Sequence, residues 1–104
     1  MGDVTKEIRN VLRGLRKDFP VKGLRVVRRR VAQPENGAVY GYTMQRKDGG
    51  CTIVIHSTLT TPMALELLIH EYAHVMTWDS TPEHSYRWAR AYQKLRQWFQ
   101  GDDE

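Results

Sequence analysis

One segment of this chain, residues 62–77, is largely apolar and yet carries two histidines and a glutamate within five residues. Its apolar residues predict a helix in the interior of a small fold, where unpaired polar groups are costly. Residues four apart on a helix lie about 40° apart around the axis and about 6 Å apart along it. His70 and His74 can therefore reach one metal ion together. A chance pattern on an amphipathic helix is the alternative, but it leaves the buried polar groups unsatisfied.

The string His70-Glu71-Tyr72-Ala73-His74 predicts a catalytic zinc site. Zinc lowers the pKa of a bound water towards neutrality and polarises a carbonyl group. Glu71 can take a proton from that water and pass it to a leaving amine without binding the metal itself. A catalytic site needs three protein ligands, so we expect one zinc per chain and a further ligand downstream. The candidates, in order of preference, are His84, Glu83 and Asp79.

Hydrophobic periodicity and turn residues predict one α+β domain over residues 1–104, in the order helix, three strands, helix, helix. The predicted helices span residues 4–19, 62–77 and 82–99, and the predicted strands span 24–31, 39–46 and 51–56. The predicted N-caps are Asp3 or Thr5, then Thr61, then Ser80 or Thr81. Residues 47–50 predict a hairpin turn. The last helix has one apolar stripe, formed by Trp88, Tyr92, Leu95 and Phe99.

The composition narrows the classes to which the chain can belong. It is 40% hydrophobic and 27% charged, which is ordinary for a soluble protein. No apolar run is long enough to span a membrane and the first ten residues are polar, so we expect a cytoplasmic protein with no membrane partner. The single cysteine, Cys51, excludes a disulfide within the chain and a cysteine-rich zinc ribbon. We expect Cys51 to have a structural role.

Positive charge is concentrated in the first predicted strand, within a chain of net charge +4. The arginines are Arg25, Arg28, Arg29 and Arg30. Contact with DNA phosphates is one interpretation. The preferred one is a solvated edge strand whose charge prevents pairing with other chains. Trp78 and Trp98 are interpreted as packing residues rather than as platforms for bases.

The histidine segment and the stretch after it resemble the SprT-like zinc metallopeptidases, which include the Spartan proteases that degrade proteins crosslinked to DNA. The residues that carry the resemblance are His70-Glu71-Tyr72-Ala73-His74, Trp78 and His84-Ser85-Tyr86-Arg87-Trp88-Ala89-Arg90-Ala91-Tyr92. In that family a histidine that opens a His-Gly-Pro-x-aromatic motif is the third zinc ligand. His84 matches this histidine and Trp88 matches the aromatic residue, whereas Ser85 and Tyr86 replace the glycine and proline. The resemblance implies a compact zincin-like fold of the minigluzincin kind.

These observations together predict a zinc metalloendopeptidase that hydrolyses peptide bonds in a protein or peptide substrate. The metal ligands are His70, His74 and His84, and Glu71 is the general base and acid. The alternative is a zinc-stabilised module that binds nucleic acid or protein and has lost or latent peptidase activity. A third hypothesis is zinc-dependent hydrolysis of a substrate that is not a peptide. Glu71 favours an enzyme, because a purely structural metal site does not need that carboxylate.

Three further features are weaker candidates for substrate contacts. His56 is interpreted either as a residue of the cleft that contacts the substrate or the transition state, or, preferably, as a solvent-exposed strand end. Tyr86, Tyr40 and Tyr42 are candidates to stabilise the tetrahedral intermediate. The strand at residues 51–56 is a candidate to pair with an extended substrate, as the cleft strand does in zincin folds.

Overall fold

The computed structural model describes residues 3–31, 40–78 and 86–101. Within them the chain forms three helices and one three-stranded mixed sheet, which confirms the predicted α+β class and element order. The helices are α1 (Val4–Asp18), α2 (Thr61–Met76) and α3 (Tyr86–Gln100), and the strands are β1 (Leu24–Arg29), β2 (Gly41–Gln45) and β3 (Cys51–His56). The predicted start of the last helix, with its cap at Ser80 or Thr81, lies outside the described residues. None of the described helices is both long and apolar enough to cross a membrane.

The first helix begins at one of its two predicted caps. The side chain of Asp3 accepts a hydrogen bond from the backbone N–H of Lys6 at 3.3 Å, so Asp3 rather than Thr5 is the N-cap. The helix ends one residue earlier than predicted. Phe19 is its C-cap, and the Phe19 N–H donates to the carbonyl of Leu15 at 2.7 Å.

β3 is the central strand of the sheet, in the order β1-β3-β2. It runs parallel to β1 and antiparallel to β2. The antiparallel pair closes through the predicted turn, where the Arg46 N–H donates to the Gly50 carbonyl at 2.7 Å and the Asp48 side chain accepts from the Gly50 N–H at 2.9 Å. Gly49 has a φ of 92°, which a glycine adopts without steric cost. In the described residues, the two outer edges of the sheet therefore belong to β1 and β2.

α2 lies in the middle of the structure and contacts β2, β3, α1 and α3. Its fully buried side chains include Leu68, Ile69 and Tyr72, and Leu95 of α3 is fully buried as well. The Tyr72 hydroxyl donates to the Phe19 carbonyl at 2.6 Å and so joins α2 to the end of α1. Burial of each large apolar side chain contributes about 1.5–3 kcal/mol. This packing holds the polar residues of α2 between the sheet and α3.

α2 begins one residue earlier than predicted. Thr61 is its first helical residue, and Thr60 occupies the cap position without a capping side-chain hydrogen bond. Pro62 lies in the first turn, where its missing N–H costs no helical hydrogen bond. The start of the helix is therefore determined by the proline and by packing rather than by a cap.

Candidate active site

His70, Glu71 and His74 lie on the side of α2 that faces β2 and α3. Glu71 is 8% exposed and His74 is 9% exposed, whereas His70 is half-buried. The ring centroids of the two histidines are 5.0 Å apart, with an interplanar angle of 68°. The helix thus brings the two rings together, as their spacing in the sequence predicted.

The separation of the two rings fits one shared zinc ion. Two imidazoles that bind zinc at about 2.0–2.1 Å in a tetrahedral arrangement have ring centroids about 5 Å apart. No group of three side chains able to hold a metal is found in residues 3–31, 40–78 and 86–101. The candidates for the third ligand, His84, Glu83 and Asp79, all fall outside those ranges. The complete ligand set therefore stays a prediction.

Two aromatic residues of α3 pack against the histidine rings. Trp88 stacks on His74 with centroids 5.1 Å apart and meets His70 edge-on at 5.0 Å. Tyr92 stacks on Trp88 at 5.0 Å and lies 5.7 Å from His70. The sequence predicts both residues in the apolar stripe of the last helix, and the resemblance matches Trp88 to the aromatic residue of the SprT-like motif, but neither predicts that they pack against the histidines. The spacing does contain a signal. The two aromatic residues are four positions apart, as are the two histidines, so each pair lies along one side of its own helix.

The Glu71 carboxylate is held by a residue of the sheet that the sequence analysis missed. The Thr43 hydroxyl of β2 donates to Oε1 of Glu71 at 2.6 Å. This distance lies at the short end of the range for hydrogen bonds donated by a hydroxyl. The two partners are 28 residues apart in the chain. The alternation of side chains along β2 places Thr43 on the same face of the strand as Gly41. The sequence does not show that α2 is the element that covers this face.

Two cavities meet at His70 and Glu71. The larger has a volume of about 660 Å³ and a mainly apolar lining, formed by Tyr40, Gly41, Leu59, Pro62, Met63, Glu66, Leu67, His70, Glu71 and Tyr92. The smaller has a volume of about 310 Å³ and is lined by Gly41, Tyr42, Thr43, His70, Glu71, His74 and Trp78. An extended chain that crosses both cavities would pass directly by Glu71.

β2 is the strand that borders both cavities, and it is an edge strand within the described residues. The prediction that residues 51–56 could pair with a substrate is wrong. β3 occupies that range and already has β1 on one side and β2 on the other, so its backbone groups are used in the sheet. The available edge next to Glu71 belongs to β2 instead.

His56 and Tyr86 do not line either of these cavities. His56 is only 8% exposed, so the expectation of a solvent-exposed strand end is wrong. Its Nδ1 accepts from the Thr58 N–H at 3.3 Å, which satisfies the ring at the end of β3. Tyr86 is 77% exposed, and the Arg90 guanidinium lies over its ring at 5.7 Å. The structure therefore brings neither residue next to Glu71.

The arginines of β1 do not act as one free basic surface. Arg28 is half-buried, and its guanidinium donates to the Thr5 hydroxyl at 2.8 Å and to the Ser57 carbonyl at 2.5 Å. It thus joins β1 to α1 and to the segment after β3. Arg25 and Arg29 of β1 are exposed, as is Arg30, which follows the strand. Among the described residues β1 lies at an edge of the sheet, as expected, and contact with DNA stays a prediction.

The tryptophans outside the aromatic stack differ from each other. Trp78 is 38% exposed and lines the smaller cavity, so it does not lie in the core. Trp98 packs edge-on against Phe19 at 6.0 Å, and its indole N–H donates to Asp18 at 2.6 Å.

Burial raises the pKa of the Cys51 thiol, and the nearby Arg46 guanidinium opposes part of that rise. The buried, protonated thiol agrees with a structural role.

Comparisons with protein-family models, with curated proteins and with solved structures gave no match. The resemblance to SprT-like peptidases therefore depends on the residues of this chain and on their arrangement alone.

Proposed function

We propose that this protein is a zinc-dependent metallopeptidase with a zincin-like fold, resembling the SprT-like family. His70, His74 and His84 hold the zinc, and Glu71 is the general base and acid. The observation that carries the proposal is the buried Glu71 carboxylate beside two histidine rings 5.0 Å apart, where two cavities meet. A metal site that only stabilised the fold would not need a carboxylate at the opening of a cavity.

The chemistry is hydrolysis of a peptide bond. Zinc, when bound, polarises the peptide carbonyl and makes a water more acidic. Glu71 takes one proton from the attacking water while the water oxygen bonds to the carbonyl carbon. As the C–N bond breaks, Glu71 gives the proton to the leaving amine nitrogen. General acid–base catalysis of this kind typically contributes about 10²–10⁴-fold to the rate.

The substrate class follows from the surroundings of Glu71. β2 offers backbone N–H and C=O groups at an edge of the sheet beside both cavities. Such an edge pairs with an extended peptide segment, which a folded domain rarely presents. The larger cavity adds apolar side chains, among them Leu59, Met63 and Leu67, that can contact a substrate side chain. An unfolded or extended protein segment is therefore the proposed substrate.

Glu71→Gln tests this function, because glutamine keeps the shape of the side chain but cannot accept a proton. We expect the variant to bind zinc like the wild type and to cleave unfolded casein at least about 10²-fold more slowly. Glu7→Gln removes an exposed carboxylate of α1 that lines neither cavity, and this variant should cleave normally. Each protein is assayed with and without DNA, and zinc content is measured on the same samples.

Two results would contradict the proposal. Cleavage that survives unchanged in Glu71→Gln would remove this residue from the mechanism. A wild type that binds zinc but cleaves no unfolded protein under either condition would favour the zinc-stabilised binding module instead.

A further inference from the structure

Thr43 occupies a special position between the sheet and α2. It is half-buried on β2, and its side chain lies on the face of the strand that packs against α2. Its hydroxyl donates to Oε1 of Glu71 at 2.6 Å. In the described residues, no other hydrogen bond to the Glu71 carboxylate is found. Thr43 therefore fixes the position of Oε1, and within the described residues Oε2 accepts no side-chain hydrogen bond.

The backbone N–H and C=O groups of Thr43 lie in the plane of the sheet, perpendicular to its side chain, and point towards the outer edge of β2. The bonds from the Arg46 N–H to the Gly50 carbonyl and from the His56 N–H to the Tyr40 carbonyl lie at the two ends of the β2–β3 ladder. Hydrogen-bonded and non-hydrogen-bonded pairs alternate along an antiparallel ladder, so the even-numbered residues of β2 bond to β3. Thr43 is odd-numbered, and its N–H and C=O therefore point away from β3.

We infer that Thr43 is a positioning residue, which aligns the Glu71 carboxylate with the main chain of a substrate bound along β2. One residue would thus bind the substrate backbone through its own backbone and hold the general base through its side chain. The inference rests on the proposed peptidase function. Without the hydroxyl, the carboxylate can rotate about its last bond and loses its alignment with the peptide group. A misplacement of about 1 Å can reduce a rate by about 10²-fold.

Thr43→Val tests the hydroxyl, because valine keeps the shape and the strand preference of threonine. We expect kcat to fall by about 10–100-fold, with KM within about threefold of wild type and zinc affinity unchanged. Thr43→Ser restores the hydroxyl and should recover kcat to within about threefold of wild type. Thr52→Val makes the same chemical change on β3. There the hydroxyl accepts a hydrogen bond from the Arg46 guanidinium and does not contact Glu71. This substitution should leave kcat unchanged.

A double-mutant cycle with Glu71→Gln tests whether Thr43 acts through Glu71. If it does, Thr43→Val should not slow cleavage further in the Glu71→Gln protein, because the base it positions is already lost. A further tenfold fall in that background would overturn the inference. So would a Thr43→Val enzyme with wild-type kcat, or equal losses in Thr43→Val and Thr52→Val. An inactive wild type would defeat the proposed function first, and this inference with it, whereas an active wild type with normal Thr43→Val defeats the inference alone.

Discussion

Replacing Gly41 with alanine measures how closely β2 is packed against both β3 and α2. A Cβ at this position would lie 2.3 Å from the carbonyl oxygen of Val54 and 2.4 Å from Cδ2 of Leu67. Both distances are far below van der Waals contact, and the Val54 atom belongs to the backbone of the central strand, which cannot rotate away. Either the strand or the helix must move. Such overpacking typically costs about 1–3 kcal/mol.

The sign of this effect is the informative part. Gly41 is not among the glycines with positive φ, so alanine can adopt its backbone conformation. At a site with enough space, Gly→Ala stabilises a protein by about 0.4–1 kcal/mol through the entropy of the unfolded chain. We expect the steric cost to exceed this gain, with a net loss of about 1–2 kcal/mol in the free energy of unfolding. For a domain of this size, that corresponds to a fall in Tm of about 5–15 °C.

Urea unfolding of wild type and Gly41→Ala gives this difference directly. Gly49 is the matched control, because its φ is 92° and, apart from its chain neighbours, no atom of the described residues lies within 4 Å of a Cβ added there. Asparagine tolerates positive φ better than alanine. At Gly49 the asparagine variant should therefore be more stable than the alanine variant, whereas at Gly41 the larger asparagine should be the less stable. A Gly41→Ala protein as stable as wild type would refute the close packing of Gly41 against Val54 and Leu67.

One further prediction concerns the binding of zinc, and another concerns the stability of the protein at alkaline pH. Zinc added to metal-free protein should raise Tm by preferential binding to the native state. It should also change the tryptophan fluorescence, because the Trp88 ring lies 5.0 Å from His70. His70→Ala should abolish both responses, and an unchanged melting curve in the wild type would contradict the site. Burial, partly offset by the charge of Arg16, raises the pKa of Tyr72 to about 12. The contribution of the neutral, buried hydroxyl to the free energy of unfolding is complete below about pH 10, which is the pKa of tyrosine in the unfolded chain. It is lost as the pH rises through 12. Between those values wild type should lose more stability in urea unfolding than Tyr72→Phe, and equal losses would contradict the prediction.

Local features of this fold could be read from short stretches of sequence. The Asp3 cap needs only the first turn of α1, and the hairpin needs only residues 47–50. The pairing of His70 with His74 follows from the pitch of one helix. These predictions succeeded because the interacting groups lie within a few residues of each other, so the chain has few ways to arrange them.

The surroundings of the site were decided by tertiary structure. β3 is central because β1 pairs with it in parallel, and the paired residues are 27 positions apart in the chain. The alternation of side chains within β3 would be the same at an edge, so it does not reveal this pairing. The hydrogen-bond partner of Glu71 likewise depends on which strand α2 packs against. The Arg28 guanidinium is bound by groups on α1 and on the segment after β3, which are distant from it in sequence. Periodicity identifies which face of an element is buried, but the identity of the neighbour on that face is set by the packing of the whole chain.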